Sequence, residues 1–175
     1  MSAESENVHE TPGEIKDLYS LVGSIASTWA HLEQSVDFTL WSLTGLEANV
    51  GASAPARIQA SLRRPLKDRI QTLVALVEEY GGSMELVRSI NQFATEAIDL
   101  TDARHRAVHD PVAEVDGEVV SITIRDRRIF NYRFSAERFQ EYKKTNADIA
   151  NILGLYSELA SRIKAEIPFP PSPEM

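Results

Sequence analysis

The chain has no cysteine. Disulfides, thiolate metal sites and a cysteine nucleophile are therefore all excluded. Long apolar runs are also missing. No stretch approaches the length of a membrane span, and the first residues are polar and acidic rather than signal-like. The expectation is a cytoplasmic protein with no membrane partner. Basic charge is scarce for the chain as a whole, which carries a net −8. That balance argues against a general nucleic-acid coat protein, but it leaves room for a local basic site. Glycine is sparse, with eight in 175 residues, and no Gly-rich phosphate loop, nucleophile elbow or zinc spacing occurs.

What charge there is lies unevenly. Residues 1–54 hold eight Asp/Glu and one Lys, whereas residues 125–144 hold seven Lys/Arg and three Asp/Glu, a local +4. Residues 57–69 are also +4, through Arg57, Arg63, Arg64, Lys67 and Arg69. Either cluster is solvated surface or a phosphate-binding patch. The apolar fraction of 43% and the length suit one domain with a real core.

Apolar residues recur at helical spacing through most of the chain. Residues 1–13 are polar, contain Pro12 and Gly13, and read as a disordered tail. The domain proper then spans 14–166. A first helix runs from about 14 to 46 on a stripe from Leu18 through Ile25, Trp29 and Val36 to Leu43, with Gly45 as its stop. Residues 48–54 are loop-like. A second helix is expected from Pro55 to Tyr80, kinked or broken at Pro65. Gly81-Gly82 ends it, and Ser83 caps a third helix.

Past Pro111 the period changes. Val112–Val115, an Asp116-Gly117 turn and Val119–Ile124 read as a hairpin with a type I′ turn, and Ile129–Phe134 alternates like a third strand. Ser135 caps a last helix that reaches about Glu166. The Pro-rich residues 167–175 form a C-terminal tail. The fold class is therefore mainly α: a four-helix antiparallel bundle with a small β-hairpin or meander insertion, about 112–134, between helices three and four.

The end of the third helix carries the chemistry. Leu86, Ile90, Phe93, Ala97 and Leu100 make one apolar stripe, and Arg104 takes the next place on it. An arginine there pairs with a carboxylate, reaches a subunit interface or lines a cleft. Pro111 ends the helix at Asp110, so His109 sits in the last turn, where it is expected to be partly exposed. About 7–8 Å of axial rise separates Arg104 from His109, within reach of an extended arginine. A guanidinium stabilises phosphate oxygens and an imidazole moves a proton near neutral pH. Arg104, His105 and His109 are thus candidate catalytic residues for metal-free RNA cleavage. The alternative is structural: Arg104 pairs with Glu33 or Asp37, and His109 complements the helix C-terminus. Asp102, His105 and His109 at i, i+3 and i+7 also share a face that could hold a metal, but no fourth ligand is near in sequence, and no metal or cofactor is expected. Trp29 reads as core.

Arg104-His105-Arg106-Ala107-Val108-His109 resembles the Arg, polar residue, three residues, His signature of HEPN domains. Trp29-Ala30-His31-Leu32-Glu33 on the first helix, and the motif's place near the end of the third, add to that likeness. The resemblance implies a homodimeric helical bundle with two motifs facing each other, and a metal-independent endoribonuclease. In it Arg104 would stabilise the phosphorane and His109 would transfer protons, with His105 at the polar position, frequently Asn in the family. Arg106, Arg125, Arg127 and Arg128 would then bind substrate, with Glu33 and Asp102 in support. It further implies a toxin–antitoxin or defence setting of bacterial type, with a nucleotidyltransferase-type antitoxin as partner. The alternative is a non-catalytic HEPN-like interaction or ligand-binding module. Two features depart from the pattern: His105, and the β insertion directly after His109.

Overall fold

The computed structural model describes residues 15–44, 64–110, 112–125 and 128–167, with only the backbone for 123–125, 128, 129 and 131. Helix α1 covers Ile15–Leu43, α2 Leu66–Glu79 and α3 Met84–His109. Strands β1 (Val112–Val115), β2 (Glu118–Arg125) and β3 (Arg128–Arg133) follow, and α4 (Ala136–Glu166) closes the domain. Among the described residues, four helices with a three-stranded antiparallel sheet between the third and fourth match the expected architecture. The tails, Gly45, the 48–54 loop and the start of the second helix from Pro55 lie outside the described residues.

Each helix buries the stripe its spacing announces. Leu18, Ile25, Leu32, Val36 and Leu43 of α1 meet Ile70, Leu73 and Val77 of α2, Leu86 and Ile90 of α3, and Ile149, Tyr156 and Ile163 of α4 in one continuous core. The expected kink or break falls at a helix start: α2 begins directly after Pro65, whose backbone is extended (φ −51°, ψ 148°) and whose fixed φ and missing N–H suit that place. Ser83 and Ser135 each accept a backbone N–H of the helix that follows them, from Leu86 and Arg138 respectively.

The α2–α3 connection is tight. Gly81 adopts φ +78°, and the Gly82 N–H donates to the Val77 carbonyl at 2.8 Å. A Cβ on Gly82 would stand 2.5 Å from Val77 Cγ1 and 2.9 Å from that same carbonyl oxygen. Gly82→Ala is therefore expected to destabilise the fold by about 1–3 kcal/mol, because the backbone oxygen cannot step aside as a side chain can. Urea denaturation of the variant checks this.

The sheet docks where α3 ends. Asp116 (φ 53°) and Gly117 (φ 80°) form the expected left-handed hairpin turn, with Val115 opposite Glu118 and Val112 opposite Ser121. Arg138 at the start of α4 reaches both Asp110, the residue capping α3, and the Ser121 hydroxyl, at 3.1 Å from the latter. Tyr142 donates to the Arg106 carbonyl (3.3 Å) and Tyr19 of α1 to the Val112 carbonyl (3.3 Å). Burial pushes the Tyr142 phenol above its ordinary value, which keeps it a donor. The last turn of α3 is thereby braced by Arg138 and Tyr142 of α4, and the strand that follows it by Tyr19 of α1.

Candidate functional site

Two imidazoles stand together at the end of α3. His105 and His109, one helical turn apart, have ring centroids 4.5 Å apart at an interplanar angle of 43°, and both rings are exposed. The helix spacing explains the pairing, since residues i and i+4 sit one above the other. Arg106 shares this exposed end, where it pairs with Glu141 of α4 at 2.8 Å. That bond holds its guanidinium pKa above the usual arginine value.

Arg104 points elsewhere. Five residues of helix rotate His109 by roughly 140° from Arg104. The Arg104 guanidinium lies over the buried Trp29 ring of α1, 5.8 Å from its centroid. Its Nε is buried with no hydrogen-bond partner, and it forms no ion pair among the described residues. It lines a cleft of about 500 Å³ with Trp29, Glu33, Lys67, Asp99 and Asp102. Of the three placements open to Arg104, the cleft is the one observed.

The expected partner of Arg104 is engaged by another residue. Glu33 pairs with Arg69 at 3.0 Å, and Asp37 with the same guanidinium at 2.9 Å. This corrects both the Arg104–Glu33 pairing and the assignment of Arg69 to a basic surface cluster: Arg69 is 6% exposed. The reason lies in the α2 stripe, where Arg69 falls three residues after Leu66 and four before Leu73, on the inward face. Sequence held the complementary signal as well, because Glu33 and Asp37 are one turn apart beside Val36 and Leu40. Burial raises the Asp37 carboxyl above its ordinary value, and the Arg69 charge and hydrogen bond oppose that rise.

Asp102 lies on the rim of the cleft and is exposed. Among the described residues no group of three or more His, Asp or Glu side chains is placed to hold a metal ion, so the Asp102, His105 and His109 spacing does not assemble into a ligand set. Arg64 and Lys67 are exposed. Arg125 and Arg128 face each other in the β2–β3 register, while Arg57, Arg63 and Arg127 lie outside the described residues. The structure thus brings His105 and His109 together beside Arg106 and sets Arg104 and Glu33 apart from them, in the cleft. The tilted imidazole pair and the Trp29 wall of the cleft were not evident as such from sequence, although the i, i+4 spacing of the histidines was the available signal. No helix among the described residues is long and apolar enough to cross a membrane. Compared with known proteins, the chain matches no family model, no curated protein and no solved structure.

Proposed function

We propose that this chain is a HEPN-like, metal-independent endoribonuclease acting as a homodimer, in a toxin–antitoxin or defence role with a nucleotidyltransferase-type antitoxin. The observation that carries this reading is the exposed His105–His109 pair on a braced helix end. Cleavage without a metal needs one base and one acid. One imidazole takes the proton from a ribose 2′-hydroxyl as the O2′–P bond forms. The other donates a proton to the departing 5′-oxygen as the P–O5′ bond breaks. The products are a 2′,3′-cyclic phosphate and a free 5′-hydroxyl. A guanidinium lowers the barrier by meeting the charge that grows on the non-bridging oxygens.

Arg104 and His109 diverge within one chain, so the reading requires a second copy whose α3 brings its own Arg104 toward these histidines. Incubating the protein with single-stranded RNA and excess chelator should yield 2′,3′-cyclic ends, and sedimentation should report a dimer at micromolar concentration. Strict monomer, or intact RNA with and without divalent metal, would remove the nuclease reading.

The Trp29–Arg104 cleft favours a second reading, a non-catalytic HEPN-like ligand-binding module. An unpaired guanidinium over an indole beside about 500 Å³ of space suits an anionic or carbonyl-bearing ligand. Ligand-induced quenching of Trp29 fluorescence without RNA turnover would support it.

A further inference from the structure

Phe130 and Tyr132 are exposed where apolar rings cost most. They occupy alternate positions on β3, which among the described residues is an edge strand paired with β2. Their rings are nearly parallel, at 22°, with centroids 6.5 Å apart, and they remain 39% and 53% exposed. That separation is the two-residue repeat of an extended strand, about 6.6–6.8 Å. Each ring therefore stands on its own strand position and presents surface to solvent. Residues 125–133, from the last residue of β2 through β3, contain four Arg and one Asp, a net +3 in a chain of net −8. Arg125 and Arg128 are register partners at one end of β3, and exposed Arg133 closes the other.

We propose that β3 is a stacking platform for single-stranded RNA, with one unpaired base on Phe130 and the next on Tyr132. The proposal deepens the ribonuclease reading, and rests on it for taking RNA as the ligand. Charge favours this docking site: the chain as a whole repels a polyanion, and the arginine-rich segment around β3 is a local exception that also carries exposed rings. Ring chemistry decides the form of the RNA. Every base has a π-face that can lie on an aromatic ring, so stacking tolerates any sequence. In a duplex those faces are covered by neighbouring base pairs and only edges and backbone are presented, so duplex RNA cannot use the platform. Strand β1 begins three residues after His109, and Val112, Ser121 and Tyr132 are successive register partners across the sheet. Two inter-strand steps, roughly 10 Å, therefore lead from the backbone beside the histidines to Tyr132. A strand held on β3 lies within a few nucleotides of the imidazole pair.

The test uses the full chain and a labelled 2′-O-methylated single strand, which cannot undergo 2′-hydroxyl attack, so binding is read without cleavage. Fluorescence anisotropy should show wild type preferring this strand to a duplex of the same sequence. Phe130→Ala and Tyr132→Ala should each weaken binding roughly 5- to 100-fold. Tyr132→Phe should stay within about threefold of wild type, whereas Tyr132→Leu, apolar but without a π-face, should fall with the alanine variant. Circular dichroism confirms that each variant folds. Equal affinity for duplex, unchanged binding in the alanine variants, rescue by Leu, or no RNA binding at all each overturns the platform; a protein strand captured on β3 without RNA binding does so too. Cleavage of unmodified RNA is followed in parallel. Cleavage that is indifferent to both rings sinks the platform and leaves the nuclease standing, and ring-dependent binding without cleavage does the reverse.

Discussion

An Arg69→Met variant is expected to lose about 3–5 kcal/mol of stability at pH 7, the usual cost of removing one partner from a buried ion pair. Arg69 is buried between Asp37 and Glu33, at 2.9 and 3.0 Å. Met keeps the volume and removes both bonds. Glu33 has a third of its side chain in water and can rehydrate, so most of the loss falls on Asp37. In a domain of this size the melting temperature should drop by roughly 10 °C.

The loss should also depend on pH, with a defined sign. Burial already raises the folded Asp37 pKa above its unfolded value of 3.8, against the pull of Arg69. A carboxyl of this kind binds its proton more readily in the folded state. Its contribution to stability therefore grows as pH falls through the raised value and shrinks as pH rises through it. Without Arg69 nothing opposes the burial effect, so the carboxyl moves higher still. The variant should then recover part of its loss between pH 7 and 5, relative to wild type. Urea titrations at both pH values read this directly, and an equal deficit at the two would show that Asp37 is not the residue left stranded. Asp37→Asn combined with Arg69→Met should cost clearly less than the two single changes added, since neither then leaves a buried charge.

On the ribonuclease reading, replacing His109 by Ala should cut RNA cleavage by 10²- to 10⁴-fold, the typical worth of a positioned acid or base; on either reading it should cost roughly 1 kcal/mol or less in stability. The stability side follows from its exposed ring, whose ring contact is the tilted His105. His105→Ala should show a comparable rate loss. The double variant should be little slower than either single one, because two groups that share one proton relay do not act independently. Arg104 separates the two functional readings. Arg104→Ala should be milder in stability than Arg69→Met, as Glu33 keeps its pairing with Arg69 and no buried carboxylate is stranded. Arg104→Lys keeps the charge but loses the planar fork that grips two phosphate oxygens, so a catalytic Arg104 tolerates Lys in melting temperature and not in rate. Rates unchanged in Arg104→Lys and His109→Ala would leave the cleft-binding reading in possession.

Most of the architecture was legible because it rests on local chemistry. The stripes from Leu18 to Leu43 and from Leu86 to Leu100 have a helical period whatever they pack against. Ser83 and Ser135 cap helices because a serine oxygen meets a backbone N–H only a few residues away. The hairpin turn was visible in Asp116-Gly117 because both positions need a positive φ. Charge pairing was less legible. Arg69 and Arg104 each lie on an apolar stripe, and each could have met Glu33. Which of them did depended on how α1, α2 and α3 cross; Glu33 and Asp37 one turn apart signal a buried cation, but not which arginine, 32 to 71 residues away, supplies it.

By itself, then, the sequence determined the kind and order of the described elements, the caps at Ser83 and Ser135, and a cluster of Arg and His in the last turns of α3. Each follows from bonds and periods that span a few residues. Only the tertiary structure decided that Arg69 takes both carboxylates and that Arg104 turns over Trp29 into a cleft. It also decided that the adjacent His105 and His109 rings are left exposed, and that the β3 rings stay uncovered. Those outcomes depend on the angle and depth at which separate helices meet and on where the sheet docks, and packing between distant segments sets both.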